Sequence, residues 1–388
     1  MERNSRTKLK VVVAFVLGVI IALCGTFAVV NFGGFEIVHG DSRGILRNVV
    51  RDYGNLPEIL KLIKTKSIFK FDDAKARDDA YKAIVDSLGD EYSQYMTAEE
   101  TKEWEALLNG EFSGIGISFS KNKDGKYQVS EVFPKGPAEM AGMKPGDLIL
   151  SVDGKTYDSI EEMSSHIKGE SGTKVKLVLM RDGKETTVEM VRATVKEKTV
   201  SGKVMDDGTG YIRISSFEEG TADEFEAQLN SFENQGIKKM ILDLRNNGGG
   251  YTNEGIRIAD LLLKEGTITY MEDVKGKRQY FNSDVRATKI KYVVLVNENT
   301  ASTSEILTAA IKDNGGGKIV GTTTFGKGIV QENIKFKDGS SLKLTVMRYY
   351  SPKGHAIHKK GIKPDVEVKP DTEGRVDNQL EKAVELLK

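Results

Sequence analysis

A chain of 388 residues, 39% hydrophobic and with 40 glycines, is long enough to bury two or three separate cores. Lysine plus arginine and aspartate plus glutamate number 57 each, so no overall field points to nucleic acid or to a strongly charged substrate. Cys24 is the single cysteine, which excludes an intrachain disulfide and leaves stability to ordinary apolar cores.

Arg3, Arg6, Lys8 and Lys10 precede an uncharged, mostly apolar run from Val11 to Val30. At about 1.5 Å per residue that run crosses a hydrocarbon core of about 30 Å. The basic flank predicts a cytoplasmic tail over 1–10, a transmembrane anchor over 11–32 and an extracytoplasmic remainder. Thr26 and Ala28 make a poor small-x-small cleavage site, which favours a retained anchor over a removed signal peptide. Residues 33–109 read as a helical region. Asp73 to Leu88 places Ala76, Ala80, Ala83, Ile84 and Leu88 at helical spacing, ended by Gly89-Asp90, and a second helix runs from Thr97, its N-cap, to Leu108, with Glu100 completing a capping box. The expected role is a packing collar or dimerisation arm.

From 110 to 192 the pattern turns to alternating apolar strands, Tyr127–Val132, Leu148–Val152, Lys174–Met180 and Thr186–Val191, with a short helix over Ile160–Ile167. In Gly114-Ile115-Gly116-Ile117, the N–H groups of Ile115, Gly116 and Ile117 suit a terminal carboxylate, and the strand edge beside them suits an extended peptide. A lone Gly-x-Gly is more simply a hairpin. Followed by Gly136-Pro137-Ala138 and Ala141 to Asp147, it resembles the permuted PDZ domain of exported bacterial proteases, which implies a module that reads free C-termini. An interaction module without a catalytic partner is the alternative. His166, on the helix lining such a groove, reads as a groove or surface residue.

From 193 to 370 strands and helices alternate: strand Gly210–Ser215, helix Thr221–Phe232, strand Lys238–Leu244 ending in Arg245 to Gly250, helix Asn253–Leu263, strand Lys291–Asn297, and helix Glu305–Lys312 ended by Asn314-Gly315. That order predicts a largely parallel sheet with its site at the carboxyl ends of the strands, where both glycine-rich turns fall. Residues 371–388 form a terminal helix, with Leu380, Ala383, Val384 and Leu387 on one face for docking or dimerisation. The expected class is therefore mixed α/β and β, multidomain: a transmembrane helix, a helical N-terminal region, a PDZ-like domain and an α/β core.

His39, His166, His355 and His358 are the only histidines, none near a Gly-x-Ser-x-Gly turn, so a Ser-His-Asp reading has little to build on. Ser302 in Thr300 to Glu305 and Lys327 in Phe325 to Gly328 read instead as a serine nucleophile with a lysine base, Gln331 following four residues on. Ser302 would stand at a helix N-terminus that favours developing negative charge. Backbone N–H groups of the Gly248 to Gly250 turn and of Thr303 would complete an oxyanion hole. A free lysine titrates near about 10.4 and needs desolvation to serve as a base. Phe325 and apolar strands are expected to supply it, with no carboxylate within Thr322 to Gly328 and the uncharged Gln331 to orient the amine. The plainer readings are a flexible glycine connection and one more surface lysine. Ser304, one residue deeper in the helix, is expected to point away. His355 and His358 lack a third ligand at matching spacing, so neither metal nor cofactor is expected.

Gly89 to Thr97, the PDZ loop, Asp243 to Gly250, Thr300 to Ile306, Phe325 to Gln331, Ser351-Pro352 and Gly361 to Val366 occur in an order that resembles the carboxyl-terminal processing proteases, tail-specific serine endopeptidases with a Ser-Lys dyad. The resemblance implies a crotonase-like core, Ser302 as nucleophile, Lys327 as base, Gln331 as orienting amide and an oxyanion hole at Gly249 and Thr303. It also implies regulation by PDZ movement, for which Arg181 at the end of a PDZ strand is the candidate. The implied partners are proteins or peptides with free apolar C-termini and the cytoplasmic membrane, with homo-oligomerisation left open. Thr303 departs from the alanine common there, but its contribution would be a backbone N–H. Two other classes compete: a membrane-tethered scaffold that binds tails without cutting, and a lyase- or hydratase-like acyl enzyme on a related core, which needs no PDZ domain.

Overall fold

The computed structural model describes residues 51–196, 198–284, 286–371 and 376–388. The anchor expected over 11–32 and the tail before it lie outside these, and among the described residues no helix is long and apolar enough to cross a membrane. The chain divides into two units at Arg77/Asp78. In the first, α1 (Leu56–Lys66) starts with a proline in its first turn and exposes Leu56, Ile59 and Leu62. Lys64 pairs with Asp73 at the start of α2 (Asp73–Asp86), the helix within which the division falls.

The second unit begins inside α2, where the apolar face expected from the sequence is not the face that packs. Ala80, Ala83 and Ile84 are exposed while Val85 is buried. The buried side is set by partners distant in sequence: Tyr81 meets Tyr95 edge-on, and Lys82 pairs with Glu100 at 2.6 Å. After β1 (Gln94–Met96), α3 (Ala98–Leu108) opens on the expected capping box, with the Thr97 N–H on Glu100 Oε2 at 2.8 Å and the Glu100 N–H on Thr97 Oγ1 at 3.3 Å.

The next elements are β2 (Glu111–Gly114), β3 (Ile117–Lys121), β4 (Tyr127–Val132), α4 (Pro137–Met140), β5 (Leu148–Val152), α5 (Ile160–Ile167), β6 (Lys174–Arg181), β7 (Lys184–Val191) and β8 (Ala193–Lys196). Strands β3 to β7 form an antiparallel sheet in sequence order, and β2 pairs with β8 beside it. Alternation puts Val175, Leu177 and Leu179 into a core with Val129, Val152, Met163 and Ile167. The open C-terminal carbonyls of α5 are closed by Arg192, whose guanidinium donates to those of His166 and Ile167.

The remainder is built from β9 (Val200–Val204), β10 (Gly210–Ile214), α6 (Thr221–Asn234), β11 (Lys239–Asp243), α7 (Thr252–Leu262), β12 (Gly266–Asp273), β13 (Arg278–Ser283), β14 (Lys291–Val296), α8 (Thr303–Asn314), β15 (Lys318–Gly321), β16 (Ile329–Lys335), β17 (Ser341–Tyr350), β18 (Val366–Glu367) and α9 (Asn378–Leu387). One sheet runs β18-β15-β14-β11-β10-β9, parallel except for β9. Its central strands are apolar on both faces because both are covered. Met240 and Leu242 face Phe225, Ile258 and Ile306 from α6, α7 and α8, while Ile241, Val293 and Leu295 face Ala383 and Leu387 from α9. A second, antiparallel sheet pairs β17 with β1, β12 and β16. The carboxyl ends of β11, β14 and β15 lead into residues 244–251, 297–302 and 322–328, so three connections converge on one edge of the parallel sheet.

Candidate active site

Ser302 is the residue before α8 and holds φ 56°, ψ −118°, a conformation that non-glycine residues avoid. The turn is fixed from several sides. Ala301 donates its N–H to the carbonyl of Asn247 at 3.0 Å, and Ser304, buried behind it, gives its hydroxyl to the same carbonyl at 3.0 Å. Ser304 thus points away from the loop, as expected. Gly249 lies directly against the Ser302 turn: a Cβ there would fall 2.7 Å from Ser302 Cβ and 3.0 Å from Thr303 N, and its φ of 101° independently requires glycine.

The two expected oxyanion donors differ in their surroundings. The N–H of Gly249 donates to Asn247 Oδ1 at 2.9 Å, so this donor is occupied in the structure. Thr303 stands at the first position of α8, where the helix itself supplies no acceptor for its N–H, and its hydroxyl is tied to the Gly250 carbonyl at 2.9 Å.

Lys327 is brought to the same edge by the 322–328 connection, but its surroundings differ from those expected. Phe325 is 57% exposed, and the aromatic ring beside the amine is that of Tyr92, from the Gly89 to Thr97 stretch, with Lys327 Nζ 4.8 Å from its centroid. The loop has no carboxylate of its own, but one from α8 enters it. Glu305, 0% exposed, takes the Thr324 hydroxyl at 2.6 Å and the Gly326 N–H at 2.7 Å on Oε1. Its Oε2 takes the N–H of Ser302 at 2.9 Å and that of Lys327 at 2.8 Å. Burial pushes the Glu305 carboxyl up against these four donors. Burial also holds the Lys327 amine below the ordinary lysine range, helped by the Lys343 ammonium and opposed by Asp90 and Glu305.

Gln331 lies on β16 just after a bulge in its pairing with β17, and gives its amide N–H to Thr345 Oγ1 at 3.2 Å. Thr345 donates its own N–H to Ser93 Oγ at 3.0 Å, and that hydroxyl donates to Asp90 at 2.6 Å. Gln331 therefore meets a polar chain leading to Asp90 rather than the lysine amine. Among the described residues no hydrogen bond joins Ser302 Oγ to Lys327 Nζ.

In the five-stranded domain the carbonyls of Ile115 and Gly116 accept from Ala138 and Phe133, and Gly116 holds φ 77°, which fixes the loop that carries the Ile115, Gly116 and Ile117 N–H groups. Arg181 makes a double contact with Asp147, Nε to Oδ1 and Nη2 to Oδ2 at 2.6 Å each, and reaches the Gly142 carbonyl at 2.8 Å. These partners all belong to its own domain. Sequence reasoning gave no role to Tyr92, Asp90, Lys343, Tyr349 or Glu305; Asp90, Tyr92 and Glu305 lie in stretches that carry the resemblance, and Glu305 also stands three residues after a serine at a helix start, whereas Lys343 and Tyr349 had no such signal.

Residues 208–368 match the family model of Peptidase family S41, and residues 113–191 match that of a PDZ domain. The "probable CtpA-like serine protease" of Staphylococcus haemolyticus is 33% identical over 373 residues, covering 94% of this chain and 74% of that protein. The carboxy-terminal processing protease CtpA of Bacillus subtilis is 38% identical over 325 residues, 82% of this chain and 70% of its own length. Among solved structures, the photosystem II D1 C-terminal processing protease covers 88% of this chain and 95% of its own at 28% identity and a TM-score of 0.51.

Proposed function

The chain belongs to peptidase family S41, and from that membership we propose that it is a membrane-anchored, extracytoplasmic endopeptidase that cuts proteins by a Ser302–Lys327 dyad after capturing their C-termini. It is a carboxy-terminal processing serine peptidase with a PDZ domain. The observation that carries the dyad reading is Glu305, whose one carboxylate oxygen holds the N–H of Ser302 and the N–H of Lys327 together at the edge where the parallel strands end.

In this reading the captured chain crosses the edge of the sheet, and neutral Lys327 takes the Ser302 proton as the hydroxyl oxygen attacks a peptide carbonyl. The N–H of Thr303 and that of Gly249, exchanged from Asn247, receive the oxyanion. The proton passes from Lys327 to the leaving amine, and water then attacks the acyl-enzyme. Gln331 serves through Thr345, keeping β16 and the lysine in register. The N–H groups of Ile115, Gly116 and Ile117 receive the substrate carboxylate, and release of Arg181 from Asp147 would couple tail binding to the core. The basic flank and apolar run before residue 33 support the anchor.

The test is intact-mass analysis of an unstructured protein with an apolar C-terminus, incubated with membranes carrying the full chain or its Ser302→Ala and Lys327→Ala forms. Cleavage is expected only with the unsubstituted enzyme, to stay with carbonate-washed membranes, and to weaken when the terminal carboxylate is amidated. Tail binding without cleavage by any form would instead identify a scaffold.

A further inference from the structure

Tyr349, at the end of β17, is 1% exposed and lies outside the Ser-Lys-Gln set. Its hydroxyl donates to the carbonyl of Ser302 at 3.0 Å and also meets the carbonyl of Lys327. Its backbone N–H holds the Gly328 carbonyl at 3.1 Å. On the opposite side of the same two residues, Glu305 accepts both N–H groups. The nucleophile and the base are thus each gripped at N–H and at C=O by the same two buried side chains.

The lysine segment has no regular structure of its own, whereas the Ser302 carbonyl already opens α8, accepting the N–H groups of Glu305 at 2.8 Å and Ile306 at 3.1 Å. Ser302 sits at φ 56°, ψ −118°, and residues 322–328 form no helix or strand. A hydroxyl carries one proton, so the two carbonyls share it; the Ser302 carbonyl stays anchored by α8, and at so buried a tyrosine a Lys327 carbonyl that moves away loses this hydrogen bond. One oxygen atom therefore fixes the separation of the two backbones.

We propose that Tyr349 is a positioning residue for catalysis: its hydroxyl ties the backbone of Ser302 to that of Lys327 and so sets the distance from the lysine amine to the serine hydroxyl. The inference rests on the dyad reading above. A tyrosine that only filled the core would make a different prediction, because Tyr349→Phe keeps the ring and its packing and removes the shared donor alone.

The experiment follows cleavage of a fluorogenic unstructured peptide ending in free Ala-Val-Leu by the full chain in detergent, comparing the unsubstituted enzyme, Tyr349→Phe and Ser302→Ala. For Tyr349→Phe, kcat is expected to fall about 10- to 100-fold with KM within about twofold, as a misplacement near 1 Å produces. The rate at which a fluorophosphonate labels Ser302 should fall in parallel. Replacing Tyr349 by p-aminophenylalanine restores N–H donors at the same place and is expected to recover most of the lost kcat; it also decides the matter should Tyr349→Phe not fold. Unchanged kcat in folded Tyr349→Phe, a rise in KM alone, or no recovery with the amine would overturn the proposal. Equal cleavage by Ser302→Ala would instead sink the dyad reading.

Discussion

Lys327 can accept a proton only as a neutral amine, and the charges around it pull both ways. Burial and the Lys343 ammonium favour the neutral form; the Asp90 and Glu305 carboxylates favour the charged one. Lys343 is itself held low by burial, against Asp90, and its Nζ lies 5.9 Å from the centre of the Trp104 ring. As the proposed base, Lys327 has to be deprotonated, so kcat/KM should rise with pH to a plateau above its depressed value. Lys343→Met removes a like charge, so the rise should move to higher pH, each unit of displacement costing about tenfold in rate below the midpoint. Asp90→Asn removes an opposing charge and should move it to lower pH. A pH–rate profile that moves the same way in both variants, or in neither, would show that the depression has another source. At this scale the turns that bring Ser302 and Lys327 to one edge were legible because each is a short connection between regular elements, the first rich in serine and threonine, the second in threonine and glycine. Lys343 and Tyr349 were not, because each is one more residue in a strand until folding places it beside the lysine loop.

Three parallel strands carry the connections that hold Ser302, Lys327 and Gly249, and α9 covers one face of that sheet. Ala383 is fully buried in that contact, and Arg245 bridges Asp243 at the end of β11 to Asp377 at the start of α9. Ala383→Asp would place a carboxylate without a partner against Ile241 and Leu295, at a cost of about 2–5 kcal/mol. Urea denaturation should show a midpoint lowered accordingly, and cleavage should fall with it, since the ends of β11 and β14 bear the Ser302 surroundings. An unchanged midpoint would mean that α9 only rests on the sheet. The docking role expected for this helix from its apolar face is thus the one observed, as are the bounds of Tyr127–Val132, Leu148–Val152 and Ile160–Ile167. These succeed because the hydrophobic period names the element and its buried face together. The stripe on α2 fails because the sides of Tyr81 and Lys82 were claimed by Tyr95 and Glu100. The sheet of β12, β13 and β17 escaped notice because its half-exposed strands carry threonine, lysine and arginine among the apolar residues.

The proposed carboxylate loop and the proposed dyad lie in different domains, so selectivity for tails should be separable from chemistry. Gly116 holds φ 77°, and a Cβ there would lie 3.4 Å from Val195 and 3.5 Å from Gly136 and Phe133. Gly116→Ala therefore strains the loop by about 1–2 kcal/mol without touching Ser302, Lys327 or Glu305. Distorting the N–H groups that face the carboxylate should raise KM for a peptide with a free C-terminus while kcat stays near that of the unsubstituted enzyme. For the same peptide amidated at its end, KM should hardly change, because that substrate never used the loop. The comparison of the two peptides thus reads tail recognition alone, and a variant that still prefers the free carboxylate as strongly as before would place recognition elsewhere in the chain.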